Sequence, residues 1–388
     1  MSKHALVLGA SGITGWGVVN ALLSDNKDTR QFSQVTAVTN RPLDILSSGW
    51  PSSSKLEIVS GIDLLAGEQT DLLNSLRCQI SGLPRVTHVY YHSYKWCAES
   101  TRESSINERM LKRCVSALDV LCPSLEYIVL PTGTKAYGIH LMENFPWKNH
   151  LPLREDLPPL PEPFASELFY NAQRAVLDSF SRYRTWTWCE VRPDVVIGFV
   201  PNHNAQSLAH TLAVYLSLFA HVNGKGSKVP WPGTTTSFNI LSSQSSQDLV
   251  GRFIVWASLR PQLTGHGHAF NIVDLDGPST WATRWYTICS LFGLQGAPPD
   301  SSTMSPRNFI NTHSAAWDEL AHQHSLKPDV LDNDLANPHF CDAILCDFDF
   351  DHHISRELIN RLGFTEQMNE KAAWSIAFER LRTAKIIP

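Results

Sequence analysis

The chain has 388 residues, 43% of them hydrophobic and 18% charged, a balance that fits a globular protein with room for one large domain or two modest ones. Lys and Arg number 32 against 37 Asp and Glu, a formal net charge of −5, which argues against a nucleic-acid or anionic-membrane partner. No stretch reaches the roughly 18 apolar residues of a transmembrane helix.

The first strand begins almost at Met1, leaving no room for a signal peptide, and the ending Lys385-Ile386-Ile387-Pro388 matches no retention or lipidation signal. A cytoplasmic protein is therefore expected. The eight cysteines include no close Cys-x-x-Cys pair and read as free thiols in a reducing compartment. His352-His353 sits beside several aspartates, but crowding in a loop is not a ligand geometry, and no metal is assigned.

In chain order, residues 5–8 read as a buried strand. The string Gly9-Ala10-Ser11-Gly12-Ile13-Thr14-Gly15 follows, and residues 18–23 then read as a helix. Strand, tight glycine turn and helix N-terminus together let backbone approach a pyrophosphate, with Ser11, Ile13 and Thr14 beside the glycines. Residues 35–38 form the second strand. It ends in Thr39-Asn40-Arg41-Pro42, without the carboxylate that binds a ribose 2′-OH in NAD sites. Arg41 suits a 2′-phosphate instead, so the expected cofactor is NADPH. After the strand at 56–59, Asp63 is placed to accept from the adenine amine and Leu64 to pack on its ring.

Further strands are expected at 87–91, 127–130, 187–191 and 269–273, and helices at 106–120, 168–183, 208–222 and 246–259. The stretch 224–233 reads as a Gly/Pro-rich loop, 151–163 as an ordered Pro-rich loop, and 279–388 as helical and aromatic-rich. The alternation predicts an α/β fold: a Rossmann-type doubly wound parallel sheet with a smaller, mostly helical C-terminal substrate-binding lobe. Residues 1–200 are expected to form the NADPH-binding domain, with 237–275 returning to it. Residues 201–236 and 276–388 would form the lobe.

Ordered strings along the whole chain resemble the progesterone 5β-reductase/iridoid synthase group of atypical, extended short-chain dehydrogenases. They are Gly9-x-x-Gly12-x-x-Gly15, Asn40-Arg41-Pro42, Ile106-Asn107, Leu130-Pro131-Thr132-Gly133-Thr134-Lys135-Ala136-Tyr137, Phe169-Tyr170, Arg192-Pro193 and Ile197-Gly198-Phe199. The resemblance implies reduction of an enone by hydride from NADPH. It implies a lysine from the loop after strand five, Lys135, and a tyrosine from the following helix, Tyr170, as catalytic residues. It also implies cofactor contacts from Tyr91, His92, Thr132, Gly133, Lys135, Tyr170, Pro193, Asp194, Val195 and Val196. Thr132 and Thr134 stand where ordinary short-chain reductases place a hydroxyl. Arg174, four residues after Tyr170, reads as a surface helix residue. The literal Tyr91-x-x-x-Lys95 reads as a chance match. The group usually has glycine where this chain has Asp194, and its strand-four exit is less bulky than Tyr91–Trp96.

The chemistry stands on its own logic. Hydride addition to an enone builds charge on the carbonyl oxygen, where a phenol can donate a hydrogen bond and a nearby ammonium can lower that phenol's pKa. An apolar, aromatic pocket is expected beyond the strand ends from Tyr94, Trp96, Met142, Phe164, Phe199, His203, Trp231 and Phe340. It suits a bulky hydrophobic small molecule. Three alternatives stay open: carbonyl reduction, a cofactor-bound isomerase, cyclase or lyase, and a non-catalytic NADPH sensor. A homodimer is also left open.

Overall fold

The computed structural model describes residues 2–201, 207–300, 303–328, 330–331 and 340–388. Seven parallel strands form one sheet: β1 (Lys3–Leu8), β2 (Phe32–Thr39), β3 (Leu56–Ser60), β4 (His88–Tyr91), β5 (Tyr127–Pro131), β6 (Thr187–Pro193) and β7 (His268–Ile272). Their order is β7-β6-β5-β4-β1-β2-β3, so the chain reverses direction across the sheet between β1 and β4. That switch point opens a crevice at the carboxyl edge.

The flanking helices are α1 (Ile13–Leu23), α2 (Gln69–Gln79), α3 (Ser100–Leu121), α4 (Phe169–Ser181), α5 (Leu208–Asn223), α6 (Gln247–Ser258), α7 (Trp281–Ser290) and α8 (Glu370–Thr383). Both sheet faces are covered, and the strands read as near-continuous apolar runs for that reason. In β1, Ala5 and Val7 enter one core, shared with α1, α6 and the C-terminal helices; Leu6 and Leu8 enter a second core, formed with α2 and α3. Helix α2 has no counterpart in the sequence reading. It buries Leu72 and Leu76 alone, too thin a stripe to stand out.

Helices α1 and α6 meet at two glycines. A Cβ on Gly17 would lie 2.6 Å from the Gln247 carbonyl oxygen, and one on Gly251 would lie 2.3 Å from that of Gly17. Beyond the sheet, a short parallel pair joins Lys228–Pro230, in the stretch expected to be loop, to Gln295–Ala297, in the stretch expected to be helical. Trp231, Trp281 and Trp285 pack around it. No helix among the described residues is long and apolar enough to cross a membrane.

Candidate active site

The turn from β1 into α1 is shaped by what its glycines lack. Gly9 sits at φ +73°, and a Cβ there would lie 2.6 Å from the His92 carbonyl carbon and oxygen. A Cβ on Gly15 would lie 2.4 Å from the Gly9 carbonyl oxygen. Gly12 caps α1 without a side-chain hydrogen bond, so the first N–H groups of the helix face the crevice without a capping side chain. This is the cradle that a pyrophosphate requires. Ser11, Ile13 and Thr14 are half-buried around it.

His92, at the exit of β4, shares a 2.9 Å hydrogen bond with Thr14 through Nδ1. Its Nε2 is buried with no partner among the described residues. Burial pushes the imidazole pKa down to about 3, so the ring is neutral at physiological pH. Gln247 locks the turn from α6: its Nε2 donates to the carbonyls of Ile13 and Phe199, both at 2.6 Å, and its Oε1 accepts from the Phe199 N–H at 3.0 Å. Sequence reasoning missed Gln247. Its signal is a glutamine opening an apolar helix.

At the end of β2, Thr39 Oγ1 donates to the Arg41 carbonyl at 2.7 Å, holding a turn that exposes Asn40, Arg41 and Pro42. Asp63 is exposed, and its Oδ1 accepts from the Leu65 N–H at 2.8 Å. Leu64 corrects an expectation: its side chain is buried in the α2–α3 core and has no face for an adenine. Tyr91 does likewise. Its ring packs in the same core with the hydroxyl buried and unpartnered among the described residues, so its backbone alone reaches the crevice.

The other half of the site lies over β5 and β6. Tyr170 is the second residue of α4. Its hydroxyl and the Pro193 carbonyl oxygen each lie 3.4 Å from the point a Gly133 Cβ would occupy. Its ring meets Phe169 edge-on at 4.5 Å, and Phe169 stacks on Tyr94 at 5.2 Å. Burial pushes the phenol pKa well up. Glu190 and Glu103 add to this and Arg192 opposes it. The phenol therefore stays protonated, with an O–H able to donate. The cation that opposes the rise is Arg192. Lys135, half-buried in the turn Thr134–Tyr137, instead acts on His140, whose pKa burial and that charge bring down to about 4.

Thr132 does not aim its hydroxyl at a ligand; it donates to Glu190 at 2.6 Å. Glu190 is fully buried. It accepts from Arg192 at 3.0 and 2.9 Å and pairs with Arg174 at 3.1 Å. Burial alone would raise its pKa, but the arginines and Thr132 outweigh it and hold the carboxyl below its usual value. Arg174 is therefore not a plain surface residue. Pro193 is buried, while Val195 and Val196 are half-buried. Asp194 receives the Val195 N–H on Oδ1 at 2.8 Å, and its own N–H donates to Ser245 Oγ at 2.9 Å. Its Oδ2 is buried without a partner among the described residues, and burial raises the carboxyl pKa to about 7.

Of the aromatic wall, Tyr94 is exposed, and Trp96, Phe164 and Phe340 are half-buried. Met142 is also half-buried, in a sparsely populated backbone conformation at φ 50°, ψ −110°. Two members are corrected. Phe199 is buried edge-on to Trp16 at 5.4 Å. Trp231 is 0% exposed, with its indole N–H donated to Ser237 Oγ and its ring stacked on Trp281 at 5.1 Å. Neither has surface left for a ligand. His203 lies outside the described residues. Tyr91 and Lys95 do not share a helical turn, because β4 ends between them and the Lys95 N–H donates to Asn107. His352 is buried among Phe348 and Phe350, with Nδ1 on the Phe350 carbonyl.

A Rossmann sheet, a three-glycine turn at its switch point and a tyrosine over the end of β5 define a protein of the short-chain dehydrogenase/reductase type. The chain belongs to the PRISE-like Rossmann-fold domain family, whose model matches residues 5–388. It is 32% identical to short chain dehydrogenase ausT of Aspergillus calidoustus, over 100% of this chain and 95% of that one. It is 33% identical to short chain dehydrogenase sirQ of Leptosphaeria maculans, over 99% and 97%. With the (S)-8-oxocitronellyl enol synthase ISY1 of Nepeta racemosa it shares 27% over 99% and 93%. Among solved structures, Bordetella bronchiseptica WbmH in complex with NAD+ superposes with a TM-score of 0.60 at 12% identity, covering 98% of this chain and 99% of that one. That likeness speaks to the fold alone.

Proposed function

We propose that the protein is an NADPH-dependent reductase that adds hydride to the β-carbon of a bulky, apolar enone or enal. The observation that carries this reading is the Tyr170 hydroxyl, protonated and held beside Gly133 and the Pro193 carbonyl on the same sheet edge as the glycine turn. A bound reduced nicotinamide would supply the hydride.

The residues divide the work. Gly9, Ser11, Gly12, Ile13, Thr14 and Gly15 cradle the pyrophosphate, Arg41 meets a 2′-phosphate, and Asp63 meets the adenine. His92, Gly133 and Pro193–Val196 flank the nicotinamide, and Lys135 adds positive field beside the ribose. Tyr170 donates a hydrogen bond to the substrate carbonyl oxygen and stabilises the enolate as the C–H bond forms at the β-carbon. The enolate then takes a proton from water at the α-carbon, which yields the saturated carbonyl compound. Tyr94, Trp96, Met142, Phe164 and Phe340 form the apolar wall. Residues 1–200 with 237–275 serve as the cofactor domain, and 201–236 with 276–388 as the substrate lobe. Relatives named enol synthases fit a reaction that passes through an enolate.

Incubation with NADPH and a panel of cyclic and acyclic enones tests the reading. A saturated ketone or aldehyde with matching NADPH loss supports it. An allylic alcohol would make the protein a carbonyl reductase, and conversion without NADPH loss would make it an isomerase, cyclase or lyase.

A further inference from the structure

Strand β6 carries a carboxylate where its neighbours are apolar, and that carboxylate joins three segments. Glu190 accepts from Thr132 on the loop that leads to Gly133, from Arg192 next to Pro193 on its own strand, and pairs with Arg174 on α4. These are the three segments that converge at the Tyr170 hydroxyl. Arg174 lies one helical turn after Tyr170, on the same face of α4. Leu168, the N-cap of α4, makes no side-chain cap, so the turn that presents Tyr170 lacks that anchor. We infer that Arg174 is a positioning residue: through its ion pair with Glu190 it ties the first turns of α4 to β6 and fixes where the Tyr170 hydroxyl lies over Gly133. The inference rests on the reading of Tyr170 as the oxyanion donor.

Arg192 holds Glu190 through two further hydrogen bonds, so loss of Arg174 does not strand a buried charge. Arg174→Ala should fold, and what it loses is the tether. The first test uses cofactor-free protein labelled at tyrosine Cζ, with the Tyr170 resonance identified by its disappearance in Tyr170→Phe. Arg174→Ala and Glu190→Gln are expected to shift or broaden that resonance, and Arg174→Lys to restore most of it. The control Arg184→Ala, which removes a partner of Asp119, should leave it in place. With carvone and NADPH, Arg174→Ala should lower kcat roughly ten- to a hundred-fold, the scale of a small misplacement, with KM within about two-fold. Adding it to Glu190→Gln should cost nothing more, because that variant has already lost the carboxylate that Arg174 pairs with. A Tyr170 resonance unmoved in Arg174→Ala would overturn the proposal. Full turnover in Tyr170→Phe would instead sink the reading of Tyr170 and leave the resonance result standing.

Discussion

The hydroxyl of Tyr170 lies 3.4 Å from where Gly133 would carry a Cβ. Gly133 is in extended backbone, with φ 161°, so a side chain there meets no backbone strain. Gly133→Ala should therefore fold, with its melting temperature close to wild type. Its methyl would occupy the space a substrate carbonyl needs to reach the phenol, and turnover should fall at least roughly ten-fold. Gly15→Ala should behave differently, since its Cβ would lie 2.4 Å from the Gly9 carbonyl oxygen. It should lose dinucleotide binding in a fluorescence titration. Equal kinetics for wild type and Gly133→Ala would show that the hydroxyl faces elsewhere.

Removal of the phenolic oxygen alone isolates its role. Tyr170→Phe keeps the contact with Phe169 and should slow turnover roughly a hundred- to a thousand-fold, as for other single oxyanion donors. Its Kd for NADPH should stay within about three-fold. A matching loss in both would mean that Tyr170 chiefly holds the cofactor.

Cofactor choice is expected to reside at the end of β2. Arg41→Ala should weaken NADPH binding by about 1.5–3 kcal/mol, the worth of a charge-assisted contact, and leave NADH nearly unchanged. Equal weakening of both would remove Arg41 from 2′-phosphate recognition.

Asp194 sets a pH dependence. Its folded pKa of about 7 lies above the unfolded value of about 3.9. Its contribution to stability is thus fully present below about pH 4 and is lost as pH rises through 7. Asp194→Asn carries no such loss. The melting temperature of the variant relative to wild type should climb between pH 4 and pH 8. A difference that stays flat across that window would place the titration elsewhere.

The sheet was legible because buried parallel strands are plain apolar runs. The observed β2, β5 and β7 each contain or nearly match the expected strand, and residues 208–222 match α5 to within one residue. The glycine turn was legible because its spacing has few other uses. Phe199 and Trp231 were misread because an aromatic residue near strand ends looks the same whether it faces a ligand or fills the lobe core. Glu190 and Gln247 went unnoticed although each is a polar residue in an apolar element, which itself signals a built network. Two of their partners, Arg174 and Ile13, lie 16 and 234 positions away, beyond the reach of local pattern.

The most direct test of the central claim is the fate of deuterium carried at the reactive carbon of NADPH. The account predicts deuterium at the β-carbon of a saturated carbonyl product, formed quickly by wild type and slowly by Tyr170→Phe. Deuterium at the carbonyl carbon of an alcohol, or undiminished transfer by the Tyr170→Phe variant, would contradict it.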